Sequence, residues 1–234
     1  KEVVTRDFSG THRYTYADYN VRVAKLANAL KRLGVRPGER VATFGWNSHR
    51  HLEAYFAAPC MGAVLHTLNI RLFEDLFTFI VNHAEDAVML VDEDLLPAVE
   101  ALADRFPTVR AYVIMSDRKT VPETRLSPVY AYEALLDAET GEFDWPSLPD
   151  ENAMAALCYT TATTGNPKGV PYSHRGIYLH ALAVCSADVL GIREADAVMP
   201  VVPMFHANAW GLPYAATWMG TKQVFPGSRP DANA

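Results

Sequence analysis

Residues Tyr159 to Gly169 read YTTATTGNPKG and concentrate the groups that grip a polyphosphate. Thr160, Thr161, Thr163 and Thr164 offer hydroxyls, Gly165 and Gly169 leave the backbone open to close approach, and Lys168 adds a cation. Successive N–H groups make an anion-binding concavity, and an ammonium contributes a point charge beside it. The kinase-type loop G-x-x-x-x-G-K-[ST] is not what stands here, because Pro167 precedes Lys168 and Gly169 follows it. The residues predict a phosphate loop of another kind, placed after the apolar run Ala153–Cys158. The plain alternative is a threonine-rich surface turn that binds nothing.

Other chemistry-bearing residues read more quietly. His49 and His51 are two apart and cannot share a helix face. His66 and His83 read as structural, and His174 as a residue that caps or orients the next helix. Asp92-Glu93-Asp94 reads as the solvated start of a helix, and Phe73, Phe77 and Phe79 as core. Cys60, Cys158 and Cys185 are scattered, with no CxxC spacing, which predicts reduced thiols in a cytoplasmic protein.

These residues need a scaffold, and the apolar pattern supplies one. Thr15–Leu33 reads as a helix: Thr15 and Asp18 form a capping box, Tyr19, Val23, Leu26 and Leu30 make a stripe, and Gly34 sits where a C′ glycine belongs. Strands are expected at Val41–Gly45, Ala63–Thr67, Ala87–Val91 and Val109–Met115, with helices at Ser48–Gly62, Glu74–Ala84 and Leu95–Phe106 between them. Leu76, Phe79, Ile80 and His83 are expected on one side of the Glu74–Ala84 helix. A short helix near Tyr132–Leu136 precedes a soft segment, 137–152. Beyond it come strands Ala155–Thr160, Val170–Ser173, Val198–Val202 and Thr221–Phe225, and helices Arg175–Leu190 and Asn208–Met219. Strand–helix alternation with wholly apolar strands such as Val88–Val91 predicts an α/β fold, mostly parallel sheets with helices on both faces. The division expected is a first α/β subdomain over 1–136, a linker over 137–152 and a second subdomain over 153–234.

YTTATTGNPKG resembles the signature of the adenylate-forming, AMP-binding superfamily, written Y-T-S-G-T-T-G-x-P-K-G. PMFHANAWG at Pro203–Gly211 resembles a second segment of that family, and the form with Asn208, Ala209 and Trp210 is most like the medium- and long-chain fatty-acyl-CoA synthetases. The resemblance runs from about Phe8 to the end of the chain. It implies ATP-dependent activation of a fatty acid to acyl-AMP, then transfer to coenzyme A, on part of the large N-terminal domain of an acyl-CoA synthetase-like fold. Charge on the triphosphate must be neutralised, so Mg²⁺ and N–H donors are implied. Thr161, Ala162, Thr163, Thr164, Gly165 and Lys168 would hold the phosphates, and Thr160 would help hold the metal. Ala162 stands where the family has Gly, which predicts a negative φ there if the loop is functional. His206 would lie beside the acyl carboxylate and, with Lys168, form the catalytic set. Trp210, four residues on, would share a helix side with His206 and gate the acyl tunnel, against the plain reading of a core tryptophan.

Several features bound the function. The family's adenine, ribose and second metal contacts and its C-terminal lysine belong to segments and a small C-terminal domain that are absent before Ala234, so the chain alone is expected to complete neither half-reaction. The formal charge of −6 argues against a nucleic-acid surface, and the longest apolar run, Ala54–Leu65, is too short to cross a bilayer. The expected partners are small molecules: a fatty acid, ATP and coenzyme A. Some family members pair as homodimers, which the resemblance leaves open here. An aryl-CoA ligase, an amino-acid adenylation domain and a non-catalytic phosphate-binding module are the competing readings.

Overall fold

The computed structural model describes all residues except 8–9, 149, 161–165 and 229–234. In chain order the elements are β1 (Glu2–Asp7), β2 (Gly10–Thr15), α1 (Tyr16–Arg32), β3 (Arg40–Phe44), α2 (His49–Cys60), β4 (Val64–Thr67), α3 (Glu74–Ala84), β5 (Asp86–Asp92), α4 (Leu96–Glu100), β6 (Ala111–Met115), β7 (Val129–Ala131), α5 (Tyr132–Asp137), β8 (Met154–Thr160), β9 (Lys168–Ser173), α6 (His174–Val184), β10 (Ala197–Val198), α7 (Leu212–Met219) and β11 (Lys222–Phe225).

The strands form a seven-stranded sheet in the order β7-β6-β5-β3-β4-β8-β9 and a four-stranded sheet in the order β10-β11-β1-β2. The larger sheet is parallel throughout except for the hairpin β8–β9 at its edge. Both sheets take strands from either side of 137–152, so that segment divides the sequence without dividing a sheet.

Alternation along the central strands sorts their side chains onto two buried faces. Val41, Leu65, Val88, Leu90 and Val113 join the core that holds Leu26, Leu30, Leu52 and Tyr132 from α1, α2 and α5. Ala42, Phe44, Met89, Val91 and Ile114 join the opposite core, with Phe77, Ile80 and Val81 of α3 and Val99 of α4. Each fully buried Leu or Ile contributes about 1.5–3 kcal/mol by leaving water.

The signals that end α1 operate as the sequence implies. Thr15 and Asp18 complete a reciprocal capping box, and Gly34, at φ +84°, closes the helix through Gly34 N–H to Lys31 O and Val35 N–H to Leu30 O. A buried charge cluster then ties α1, α2, α5 and β2 together. Fully buried Glu53 accepts from Tyr14 Oη (2.9 Å), Tyr132 Oη (2.6 Å) and Arg22 Nε (2.7 Å), while Glu133 accepts from Arg22 and Arg50.

Other expectations need correction. The hairpin β1–β2 was not expected, and its β1 pairs with β11 from the far end of the sequence. The helix expected at Leu95–Phe106 is broken into α4 and short 3₁₀ turns at Glu93–Leu95 and Ala103–Arg105. In α3 the buried side is Phe77, Ile80, Val81 and Ala84, not the side through Leu76 and His83. Phe73 stands just before α3 and is 82% exposed, so it is not core. Asp92 is not a solvated carboxylate: its Oδ2 accepts from Trp46 N at 2.7 Å, and burial pushes its carboxyl up to about 7.

Candidate functional site

The hairpin β8–β9 places the base of the phosphate loop. Thr160 and Lys168 are directly opposed in its antiparallel register, so the loop leaves the sheet and returns at adjacent positions. Residues directly opposite project on the same face, with Cβ atoms about 4.5–5.5 Å apart. Both are exposed, at the C-terminal end of β8, where open α/β sheets bind ligands. Strand pairing thus fixes the two side chains' points of attachment side by side. Thr161, Ala162, Thr163, Thr164 and Gly165, and with them the expected φ at Ala162, lie outside the described residues.

Tyr159, one residue before Thr160, lines a cleft of about 30 Å³ with Thr67, Asn69, Ile80, Phe205 and His206. The start of the phosphate loop and His206 therefore border one cleft above the C-terminal ends of β4 and β8. Tyr159 is held there by a hydrogen bond between its Oη and His83 Nδ1 (2.7 Å), and burial raises its phenol above the ordinary range. His83 thus has a partner at the site's edge. His66 is fully buried against Asp86 (2.8 Å), as a structural histidine would be.

His206 ends a stretch, 199–206, that forms neither strand nor helix, although a strand was expected to Val202. Much of its backbone is instead satisfied by side chains from the turn between β3 and α2, from α2 and from β4. The Asn47 carboxamide donates to Pro200 O (2.8 Å) and Val202 O (3.0 Å), and its Oδ1 accepts from Met204 N (2.7 Å). Tyr55 Oη donates to Met204 O, and Thr67 Oγ1 donates to Phe205 O (3.3 Å). The imidazole that they support is exposed.

The next residues overturn one expectation. Asn208–Met219 is not one helix: Ala207, Asn208, Ala209 and Trp210 all have positive φ, between 44° and 56°, and Gly211 follows at 71°. They make one left-handed turn closed by Ala209 N–H to His206 O and Gly211 N–H to Asn208 O, both 3.0 Å. The right-handed spacing that put Trp210 on the side of His206 does not apply. At about 1–2 kcal/mol per left-handed residue, the four non-glycine positions store about 4–8 kcal/mol. The surroundings offset this strain. Asn208 is buried and accepts from Cys158 Sγ (3.2 Å), a thiol that burial keeps protonated, and Trp210 O bonds His180 Nε2 (2.9 Å). Gly211 is required twice over: its φ is positive, and a Cβ would lie 2.4 Å from His180 Cδ2. Strain of this kind is characteristic of functional segments. Here it leaves the Trp210 side chain 68% exposed beside the cleft-bearing segment, so Trp210 is not a core tryptophan.

Thr160, Lys168 and His206 are therefore brought to one edge of the larger sheet, and Trp210 extends from the turn that follows His206. Sequence reasoning missed Asn47, Tyr55, Thr67, Cys158 and Asn208, all of which hold the segment. Tyr55, Thr67 and Cys158 lie in an ordinary helix or strand and Asn47 and Asn208 in turns, and only long-range contacts reveal their part. Among the described residues no group of three or more His, Cys, Asp or Glu could hold a metal ion. A Mg²⁺ here would draw one protein oxygen from Thr160 and the rest from substrate phosphates and water, a pattern that this ion accepts.

An AMP-binding enzyme family model matches residues 1–234. The chain is 51% identical over 232 residues to a long-chain-fatty-acid–CoA ligase of Thermus thermophilus, covering 99% of this chain and 41% of that relative. It is 43% identical over 232 residues to a medium-chain-fatty-acid–CoA ligase of Ectopseudomonas oleovorans, covering 99% and 42%. The chain thus spans about two fifths of the length of these curated relatives. Among solved structures, an anthranilate CoA ligase in complex with anthranoyl-AMP superposes with a TM-score of 0.83 at 23% identity, over 97% of this chain and 42% of that one, a likeness of fold. Matched along its whole length by the family model, the chain belongs to the AMP-binding enzyme family.

Proposed function

We propose that this chain is part of an enzyme that activates a fatty acid with ATP to acyl-AMP and then transfers the acyl group to coenzyme A. The observation that carries the reading is the shared cleft: Tyr159, at the root of the phosphate loop, and His206 border the same space. In this reading Thr161, Thr163, Thr164 and Gly165 would hold the β- and γ-phosphates, and Lys168, opposed to Thr160 on the hairpin, would add positive charge beside them. Thr160 would help hold a Mg²⁺ together with the phosphates, and that ion would supply charge neutralisation for attack at the α-phosphorus. His206 orients the acyl carboxylate for that attack, and Trp210 gates the channel for its chain. An apolar groove of about 420 Å³, walled by Tyr55, Phe56, Ile177, Ala181, Tyr214 and Trp218, lies one residue past His180 and three past Gly211. It offers an acyl chain an apolar wall close to the Trp210 turn.

The identity to fatty-acid ligases supports a fatty acid over an aromatic or amino acid. The free cysteines suit a cytoplasmic enzyme, and no described helix is long and apolar enough to cross a membrane. Pairing into a homodimer belongs to the same proposal and is read by sedimentation. The deciding experiment is ATP–pyrophosphate exchange by the intact protein with fatty acids of graded length. Exchange that rises with one range of chain lengths supports the reading. Exchange only with aryl or amino acids replaces the substrate, and none with any acid leaves a non-catalytic module.

A further inference from the structure

The segment before His206 has no secondary structure of its own, so something else must set its height over the sheet. Asn47 is placed to do so. It is 6% exposed, and its carboxamide is fully used: both N–H donors reach carbonyls, at Pro200 and Val202, and the oxygen receives Met204 N–H. Its own backbone carbonyl accepts from Gly227 N–H at 3.1 Å, just past β11. One residue thus spans the larger sheet, the end of the smaller sheet and the His206 segment.

Asn47 is itself anchored on both sides. Trp46 is held by Asp92 through its backbone N (2.7 Å) and by Asp94 through its indole N–H (3.0 Å). Ser48 caps α2, accepting from His51 N. Gly45 leaves no slack, because a Cβ there would meet Met115 Cε at 2.8 Å and Asp92 Oδ2 at 3.0 Å. The carboxamide therefore projects from a rigid turn into a segment whose other supports over 200–204 include the Tyr55 hydroxyl and the burial of Met204 in the core.

We propose that Asn47 is the positioning residue for His206: its three side-chain hydrogen bonds fix the segment that carries the imidazole to the cleft. The inference deepens, and rests on, the reading in which His206 meets the acyl carboxylate. Asn47 itself touches no substrate. Its effect follows from geometry, since a displacement of about 1 Å in a reacting group lowers rates by about 100-fold.

The test uses the intact protein with Asn47→Leu, which keeps side-chain bulk and removes all three bonds, and Asn47→Asp, which keeps the acceptor for Met204 and turns a carboxylate toward two carbonyls. Hydrogen exchange at the Met204 amide should accelerate by about tenfold or more in Asn47→Leu, the loss of one good hydrogen bond, while α1 and β3 keep their protection. In pyrophosphate exchange, kcat/KM for the fatty acid should fall by about 100-fold with KM for ATP unchanged. A purely structural residue would raise exchange across the whole chain or affect both substrates alike, and either result overturns the proposal. So does faster exchange at Met204 with wild-type acid kinetics. If Asn47→Leu does not fold, Asn47→Asp must show the same split between the two substrates or the proposal fails. A wild-type protein that activates no acid would refute the assigned reaction, while the Met204 amide would still report whether Asn47 holds the segment.

Discussion

Gly211→Ala tests the left-handed turn at its most constrained point. Two effects set the magnitude. An alanine at φ +71° costs about 1–2 kcal/mol, because Cβ crowds the following carbonyl. The new Cβ would also sit 2.4 Å from His180 Cδ2 and 2.8 Å from Nε2, so the imidazole must leave. His180 is exposed and can swing away, at the loss of its bond to Trp210 O, which is worth about 0.5–1.5 kcal/mol. The expected destabilisation is about 2–3 kcal/mol. A double-mutant cycle separates the two. His180→Ala alone should cost about 1 kcal/mol, and Gly211→Ala in that background only the backbone strain, about 1–2 kcal/mol. Urea unfolding of the intact protein, followed across the four variants, reads all three values. Gly211→Ala within about 0.5 kcal/mol of wild type, or a cycle that shows no coupling to His180, would refute the argument that this glycine is imposed by the turn.

Three further outcomes rest on the same physical reasoning. Arg22→Met strands the fully buried Glu53 with two tyrosine hydroxyls, so guanidinium unfolding should show a loss of about 3–5 kcal/mol, and a loss under about 1 kcal/mol would contradict the buried-charge argument. His51 is fully buried between Thr43 and Trp46 O, and burial lowers it to about 4 from an unfolded value near 6.5. Protonation is therefore disfavoured in the folded chain: the stability is complete above pH 6.5 and is lost as pH falls toward 4, by about 3 kcal/mol. The difference in unfolding free energy between wild type and His51→Gln should narrow over that range, and a flat difference would count against it. Lys168→Ala should raise KM for ATP about tenfold and leave KM for the acid unchanged, as expected when a single charge-assisted hydrogen bond to phosphate is removed; equal changes in both would move Lys168 away from the phosphates.

Much of the scaffold was legible because its signals are local. Thr15, Asp18 and Gly34 declare the ends of α1 within a few residues, and the apolar strands announce a sheet covered on both faces. The hairpin base was legible in part: strands were expected on either side of the loop, but not that Thr160 and Lys168 stand opposed. What stayed hidden depends on partners distant in sequence. Spacing alone suggested that Asn208–Trp210 would wind right-handed into α7, because nothing nearby shows the contacts from Cys158 and His180 that stabilise the opposite hand. Phe73 looked like core by residue type, yet it precedes α3 on the side away from both cores. Asn47 gave no local sign of its role because its partners lie across the fold.

The parallel pairing of β1 with β11, Val3 opposite Gln223, dictates an order of events at the ribosome. The larger sheet can close once Ser173 has been made, but β1, already paired with β2, has its other edge open until β11 is synthesised. Non-local closure of this sort slows folding and leaves an open strand for neighbouring nascent chains to capture. A pause in translation before Lys222–Phe225 has left the ribosome would therefore endanger solubility more than one after it has emerged.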